Sequence, residues 1–404
     1  MSRPSRGPSA RAVVPPFAVM SILNRVAELR AEGRDVISLC AGEPSQGPPS
    51  DVRRRMTELM GDRTPLGYTE TFGIRPLRRA IAEHYRRWYA LDINPDQVAV
   101  TTGSSGAFLL AFLAAYDAGD RVAMTRPGYP AYRNILTALG CEVVELDCGP
   151  AQDYRLDVAQ LDAAHRDHPL AGLVIASPAN PTGTMIDDRH LAALTTWCAE
   201  HGVRLVSDEI YHGITDGPTG RCAWSHDRSA VVVSSFSKYW GMTGWRLGWG
   251  LIPADLLGAV DALAGNFALC APVPAQHAAV AAFTEQSYIE AETAVRGFAD
   301  ARSLLLDAVE DLGWTGVAPA EGAFYVYAQI DGVLGPHPDS EAWCAALLAE
   351  QGVALTPGTD FDPVHGGAAV RVSLAAGPEA VAAAVVRILR FQASLAGAGA
   401  AHQQ

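Results

Sequence analysis

A single lysine, Lys238, stands in a chain of 404 residues that otherwise carries its positive side chains on 30 arginines. A guanidinium stays protonated inside a protein, whereas a desolvated lysine amine can lose its proton and attack a carbonyl, so the one retained lysine is a candidate covalent residue. Its neighbourhood, SSFSKYWGMTGWRLGW over 234–249, places Ser235 three residues before it and Arg246 eight after, with Gly241, Gly244 and Gly248 letting backbone approach closely. A guanidinium fork with hydroxyls is a phosphate-binding set.

An imine-forming lysine beside a phosphate site is what pyridoxal 5′-phosphate requires, and that cofactor makes further demands. A carboxylate must face its ring nitrogen; Asp208, at the end of the apolar run VRLVSD, supplies it, with Glu209 directed the other way on an extended segment. Tyr211, three residues on, and Asn180, in the turn SPANPTG, can reach the phenolic oxygen. Gly103, Ser104 and Ser105, where VAVTTG runs into a helix, form a nest of amides for the phosphate. Tyr129 in RPGYPAY supplies a flat ring to cover the cofactor, and Arg371, a lone cation in the apolar strand AAVRVSLA, asks for a ligand carboxylate. Each has an ordinary alternative when taken alone: a surface lysine, a proline turn, a serine-capped helix start, a core tyrosine. Their joint occurrence carries the reading.

These residues need a scaffold that brings distant positions together. Through the middle of the chain, short β-branched runs alternate with helical segments: QVAVTT, RVAMTR, GLVIA, VRLVSD and AVVVSS read as strands, and SSGAFLLAFLAAYDAG and LAALTTWCAEHG as helices. That alternation predicts an α/β fold with a mostly parallel sheet covered on both faces. After residue 285 the pattern changes to one long amphipathic helix, SYIEAETAVRGFADARSLLLDAVEDLG, then the strands GAFYVYAQI and AAVRVSLA. The expected division is an N-terminal arm over 1–15, a large cofactor-binding domain over 52–285, and a smaller α+β domain built from 16–51 and 286–404.

Composition narrows the function class. A net charge of −13 with 19% charged residues disfavours nucleic acid and anionic membranes as partners. Seven cysteines, scattered without zinc-like spacing, predict neither a disulfide framework nor a metal site, and suit a reducing cytoplasm. The N-terminal stretch lacks the apolar core of a secretory signal. No GxGxxG follows an N-terminal strand, which argues against a nucleotide-dependent dehydrogenase.

From about Pro15 to Leu389 the pattern GEP, TTGSSGA, PGYPAY, NPTG, SDEIY, SFSK with GWRLG, GAFY and RVS resembles the class I/II aminotransferases, fold type I pyridoxal-phosphate enzymes. The resemblance implies a mixed, mostly parallel seven-stranded sheet between helices, and amino-group exchange between an L-amino acid and a 2-oxo acid. It implies that Lys238 holds the cofactor and shuttles protons, that Asp208 pairs with the ring nitrogen, and that Asn180 and Tyr211 hold the phenolate. It also implies that Gly103, Ser104, Ser105, Ser235 and Arg246 bind phosphate, that Tyr129 stacks on the ring, and that Arg371 with the backbone at Gly42 takes the α-carboxylate. Tyr68 in PLGYTE matches a family tyrosine that crosses to the neighbouring subunit's phosphate, implying a homodimer with shared sites. Ser105 stands where some aspartate-using relatives carry a lysine, which puts dicarboxylate specificity in doubt. The same scaffold also supports elimination, replacement, cyclisation and carbon–carbon bond formation, as in enzymes resembling aminocyclopropane-carboxylate synthases.

Overall fold

The computed structural model describes residues 7–63 and 65–401. Among the described residues twelve strands run in chain order: β1 (Ile37–Ser38), β2 (Val98–Thr101), β3 (Arg121–Arg126), β4 (Glu142–Asp147), β5 (Gly172–Ala176), β6 (Arg204–Asp208), β7 (Val231–Ser235), β8 (Gly248–Leu251), β9 (Tyr325–Gln329), β10 (Val353–Ala354), β11 (Thr356–Pro357) and β12 (Ala369–Ser373). Seven of them form one sheet in the order β2-β8-β7-β6-β5-β3-β4. Strands β3 to β7 pair in parallel, and β8 runs antiparallel to both neighbours, so six strands share one direction. Six carboxyl ends therefore open onto one edge of the sheet.

The helices before residue 280 are α1 (Ala18–Ala31), which packs away from this sheet, and α2 (Ser50–Gly61), α3 (Arg75–Tyr89), α4 (Gly103–Ala115), α5 (Pro130–Leu139), α6 (Val158–Asp167), α7 (Asp188–His201), α8 (Leu257–Ala268) and α9 (Val273–Ala279). Buried on both faces, the central strands are continuous apolar runs: Leu173, Val206 and Val232 are each at most 1% exposed. Burial of such side chains contributes roughly 1.5–3 kcal/mol each. Local signals agree with this packing at the helix ends. Asp187 caps α7 by accepting from the His190 amide at 2.7 Å, and Gly202 ends it in a left-handed conformation.

Beyond the sheet come α10 (Glu285–Asp307), α11 (Val309–Leu312), α12 (Ser340–Gln351) and α13 (Pro378–Ala401). The single long helix expected after residue 285 is in fact two: the Ala308 amide turns back to the Leu305 and Leu306 carbonyls, and Gly313, at φ +64°, closes α11. Nothing in DAVED breaks a helix. The bend seats Leu312 and Trp314 in the core, so tertiary packing overrides propensity here. Strands β11, β12 and β9 form an antiparallel sheet, and β1 pairs in parallel with β10, fastening the N-terminal segment to the C-terminal part of the chain. Helix α1 adds a small separate core, with Val26 and Leu29 against Val36, Leu348 and Ala354. Among the described residues no helix is long and apolar enough to cross a membrane.

Candidate active site

A cleft of about 300 Å³ opens at the carboxyl edge of the seven-stranded sheet, where ligands of open α/β sheets bind. Five of the six co-directional strands, all but β4, deliver a side chain as they end or just beyond. From β6 comes Asp208, and from the turn after β7 comes Lys238. Asn180 follows β5, Tyr129 follows β3, and Ser104 and Ser105 open α4 after β2; all line this cleft.

Asp208 is 3% exposed. Its Oδ1 accepts from the Ile210 amide at 3.0 Å and its Oδ2 from the Tyr132 hydroxyl, and neither partner is a cation. Burial pushes this carboxyl up to about 6, against the two hydrogen bonds and the attraction of Lys238. Lys238 Nζ donates to the Gly42 carbonyl at 2.6 Å. Burial first, and then the positive charge of Arg371, push its amine down to about 8, with Glu43 and Asp208 opposing. Both causes favour the neutral amine over its state in water, and the neutral form is the nucleophile and the base. Glu209 turns the other way, its Oε1 accepting from the Ala223 amide at 2.7 Å and from the Ser207 hydroxyl at 3.1 Å.

An anion cradle lies at one end. Gly103 adopts φ +72°, and a Cβ there would come within 2.4 Å of Arg246 Nη2, so the guanidinium rests directly against the start of α4. Gly248 on β8 plays the complementary part, since a Cβ on it would stand 2.7 Å from the Ser104 nitrogen. Helix amides and a guanidinium thus converge without side chains between them.

At the other end Arg371 on β12 is 4% exposed. It donates to Asn180 Oδ1 at 2.9 Å, the Cys40 carbonyl at 2.8 Å and Thr356 Oγ1 at 3.3 Å; none of these is a carboxylate, and its Nε has no partner. The guanidinium carbon lies 4.4 Å from the Tyr325 ring centre and 4.6 Å from that of Phe361. Tyr211 and Tyr325 share a hydrogen bond of 2.8 Å between their hydroxyls. Gly42 brings its backbone close to the same tyrosine: a Cβ there would sit 3.0 Å from the Tyr325 hydroxyl.

Two expected residues stand elsewhere. The Ser235 hydroxyl does not reach the cleft. It is 1% exposed and held between Ser237 Oγ at 2.8 Å and the Leu247 carbonyl at 3.2 Å, and Ser237, two residues beyond the strand, lines the wall instead. Tyr68 is 82% exposed and lies outside the cleft of its own chain. Tyr129 is in the wall, and its ring stacks on Phe17 at 6.2 Å with 13° between planes. Phe17, Val19 and Met20, from the segment entering α1, close the mouth, and Asp360 and Phe361 complete it. None of these five carried a sequence signal, whereas Tyr132 ends the PGYPAY motif and Tyr325 sits in the GAFY motif.

Known proteins resemble this chain along nearly its whole length. The family described as aminotransferase class I and II matches residues 34–389. A valine–pyruvate aminotransferase of Mycobacterium tuberculosis is 52% identical over 367 residues, covering 90% of this chain and 93% of that protein. An aspartate/prephenate aminotransferase of Thermus thermophilus is 33% identical over 392 residues, 95% of this chain and 98% of that protein. Among solved structures, an aminotransferase from Mycobacterium tuberculosis superposes with a TM-score of 0.92 at 49% identity, covering 96% of this chain and all of that one. The aspartate aminotransferase of Thermus thermophilus with maleate gives 0.88 at 31% identity over the same share of each chain. With strand ends, anion cradle and buried arginine set out as above, the chain belongs to the class I and II aminotransferases, pyridoxal-phosphate-dependent enzymes of fold type I that exchange an amino group between an amino acid and a 2-oxo acid.

Proposed function

We propose that Lys238 holds pyridoxal 5′-phosphate in this cleft and that the enzyme transfers the amino group of an apolar L-amino acid to a small monocarboxylic 2-oxo acid. The observation that carries the reading is the Lys238 amine, set between a buried carboxylate hydrogen-bonded only by uncharged donors, Asp208, and a buried arginine without a carboxylate, Arg371. These residues fit the cofactor. The cradle that a Cβ at Gly103 would fill, with the α4 amides at Ser104 and Ser105, Ser237 and Arg246, suits the phosphate. Ser235 supports that cradle from behind by fixing Ser237.

When bound, the cofactor supplies the aldehyde that carries the amino group and the ring that draws electrons from the substrate's Cα. Asp208 holds the ring nitrogen protonated, and Tyr132 and the Ile210 amide fix that carboxylate in place. With the cofactor bound, the Lys238 amine would be placed to take the proton from the substrate's Cα and to deliver it to the cofactor's aldehyde-derived carbon, on the far side of the shared nitrogen. Arg371 clamps the α-carboxylate, with Asn180 locking its fork, so that the Cα–H bond is aimed at Lys238. Asn180 and Tyr211 serve the phenolic oxygen, and Tyr129 covers the ring. Phe17, Val19, Met20 and Phe361 offer an apolar setting to the side chain, which accords with the relative named for valine and pyruvate.

Two further parts belong to this reading. One is a homodimer in which Tyr68 reaches the partner's phosphate site, supported by its exposure and by exposed Leu109, Phe267 and Leu269. The other is a cytoplasmic location, which suits seven unpaired thiols. The test is to mix the purified enzyme with valine and pyruvate and to follow alanine and the branched oxo acid by chromatography, while borohydride reduction and peptide mass spectrometry locate the cofactor. Absence of amino transfer from every aliphatic donor, or a pyridoxyl group fixed away from Lys238, would overturn it.

A further inference from the structure

Arg371 is steadied by a turn that reaches across to the seven-stranded sheet. Between β11 and β12, the strand that carries Arg371, the chain makes a compact turn over 358–366, closed on itself where a Cβ on Gly358 would stand 2.6 Å from the Gly366 carbonyl oxygen. Three consecutive residues of this turn each hold a different segment. Asp360 Oδ1 accepts from the amide of Ala18, the first residue of α1, at 3.1 Å. The Phe361 ring lies in the cleft wall 4.6 Å from the Arg371 guanidinium, and its carbonyl accepts from the Gly128 amide, beside Tyr129, at 3.1 Å. Asp362 Oδ1 accepts from the amides of Val364 and His365, each at 2.9 Å, and faces Arg126 Nε at 3.2 Å.

Arg126 ends β3, three residues before Tyr129, and its Nη2 also lies 3.3 Å from Asp147 Oδ2 at the end of β4. The side chains of Arg126 and Asp362 are 13% and 5% exposed, so the pair is buried within its own subunit. The Nε–H is not aimed at the carboxylate oxygen, and the two are held by charge rather than by a directed hydrogen bond. Removing one partner of such a pair leaves the other charge buried alone, which is costly. Neither residue lines the cleft, so any effect on the substrate passes through Phe361.

We propose that Asp362 is a positioning residue for the carboxylate clamp: its pairing with Arg126 locks the 358–366 turn to the end of β3 and so holds the Phe361 ring on the Arg371 guanidinium. The inference rests on the reading of Arg371 as the α-carboxylate clamp. A ring at this distance attracts the cation and restricts its swing, so a turn that drifts from β3 loosens the fork that must receive the carboxylate. Lys238 and Asp208 come from β7 and β6, and the loss falls on carboxylate binding rather than on the cofactor.

The experiment measures isovalerate binding to the holoenzyme by calorimetry, KM and kcat for valine, and cofactor affinity by titration, in the wild type, Asp362→Asn, Arg126→Gln and the double variant. Asparagine keeps an oxygen for the Val364 and His365 amides and removes the charge. Isovalerate affinity should fall, and the valine KM rise, about tenfold in D362N and in R126Q, with kcat and cofactor affinity within about twofold of the wild type. The double variant should lose no more than the worse of the two. Asp362→Ser, whose hydroxyl can cap the same amides, serves if asparagine impairs folding. Unchanged isovalerate affinity in the Asp362 variants, equal falls in isovalerate and cofactor affinity, or losses that multiply in the double variant would overturn the role of Asp362. Failure of the wild type to bind isovalerate, or an unchanged affinity in Arg371→Gln, would instead overturn the clamp reading on which it rests.

Discussion

Replacing Asp208 by asparagine should stabilise the cofactor-free protein, by an amount that grows with pH. The carboxyl is displaced upward to about 6 from an ordinary value of 3.8, mainly because it is buried without a cation. A folded value above the unfolded one means that the fold prefers the protonated acid. Its contribution is fully present below about pH 3.8 and is lost as pH rises through about 6. The loss at pH 8 is about 3 kcal/mol, from 1.36 kcal/mol per unit of displacement, and at pH 4.5 it is only about 1 kcal/mol. Asparagine does not ionise, so D208N escapes this loss while keeping an oxygen for the Ile210 amide or the Tyr132 hydroxyl. Urea unfolding of both cofactor-free proteins at pH 4.5 and 8 should show the stability gap widening by roughly 2 kcal/mol, since every other titrating group is common to both. With saturating pyridoxal phosphate the order should reverse at pH 8, and turnover by the variant should fall sharply. A gap that is the same at both pH values would refute the claim that Asp208 is an uncompensated buried charge awaiting a cation.

Other perturbations probe the remaining parts. Lys238→Arg keeps the charge but removes an amine that can deprotonate, so turnover should fall by about 10⁴-fold or more and borohydride should fix no pyridoxyl group on the protein, as read by mass spectrometry. Gly103→Ala places a methyl group against Arg246 at a φ of +72°; cofactor affinity, titrated by fluorescence quenching, should weaken at least tenfold, with roughly 1–2 kcal/mol lost from folding stability. In the proposed dimer Tyr68→Phe should weaken cofactor binding, and at limiting cofactor hybrids of that variant with Lys238→Ala should be more active than either homodimer, because one of their two sites would carry both side chains.

Much of this site was legible because its residues follow the ends of strands that are recognisable as apolar runs. Asp208, Asn180 and Lys238 each come within a few residues of such a run, and a parallel sheet must bring those ends to one edge. Arg371 stood out as a cation inside an apolar strand. What stayed hidden depends on contacts between distant segments. Tyr132 meets Asp208 across 76 positions, and Ala18 meets Asp360 across 342; no local pattern encodes either pairing. Ser235 and Ser237 are equivalent by type and spacing, and only the end of β7, with the Leu247 carbonyl beside it, decides which hydroxyl faces the cleft. Strand β8 was obscured by glycines that read as phosphate-binding chemistry. Gly248 serves both purposes, as a strand residue and as the gap into which the start of α4 fits.

The unsatisfied groups of the cleft also carry information when taken in spatial order. Burial without a partner is unfavourable, so a fold that retains several such groups side by side has kept them for a ligand that satisfies them together. At one end, amides and the Arg246 guanidinium converge where only an anion fits. In the middle, Asp208 is hydrogen-bonded only by uncharged donors, and burial with the charge of Arg371 pushes the Lys238 amine down. At the other end, Arg371 has an unpaired Nε and three uncharged partners. The complementary ligand must present an anion, then a cation beside an electrophile, then a carboxylate. That is the charge sequence of a phosphorylated pyridine aldehyde joined to an amino acid, and a single metal ion or nucleotide would leave at least one of these groups unanswered.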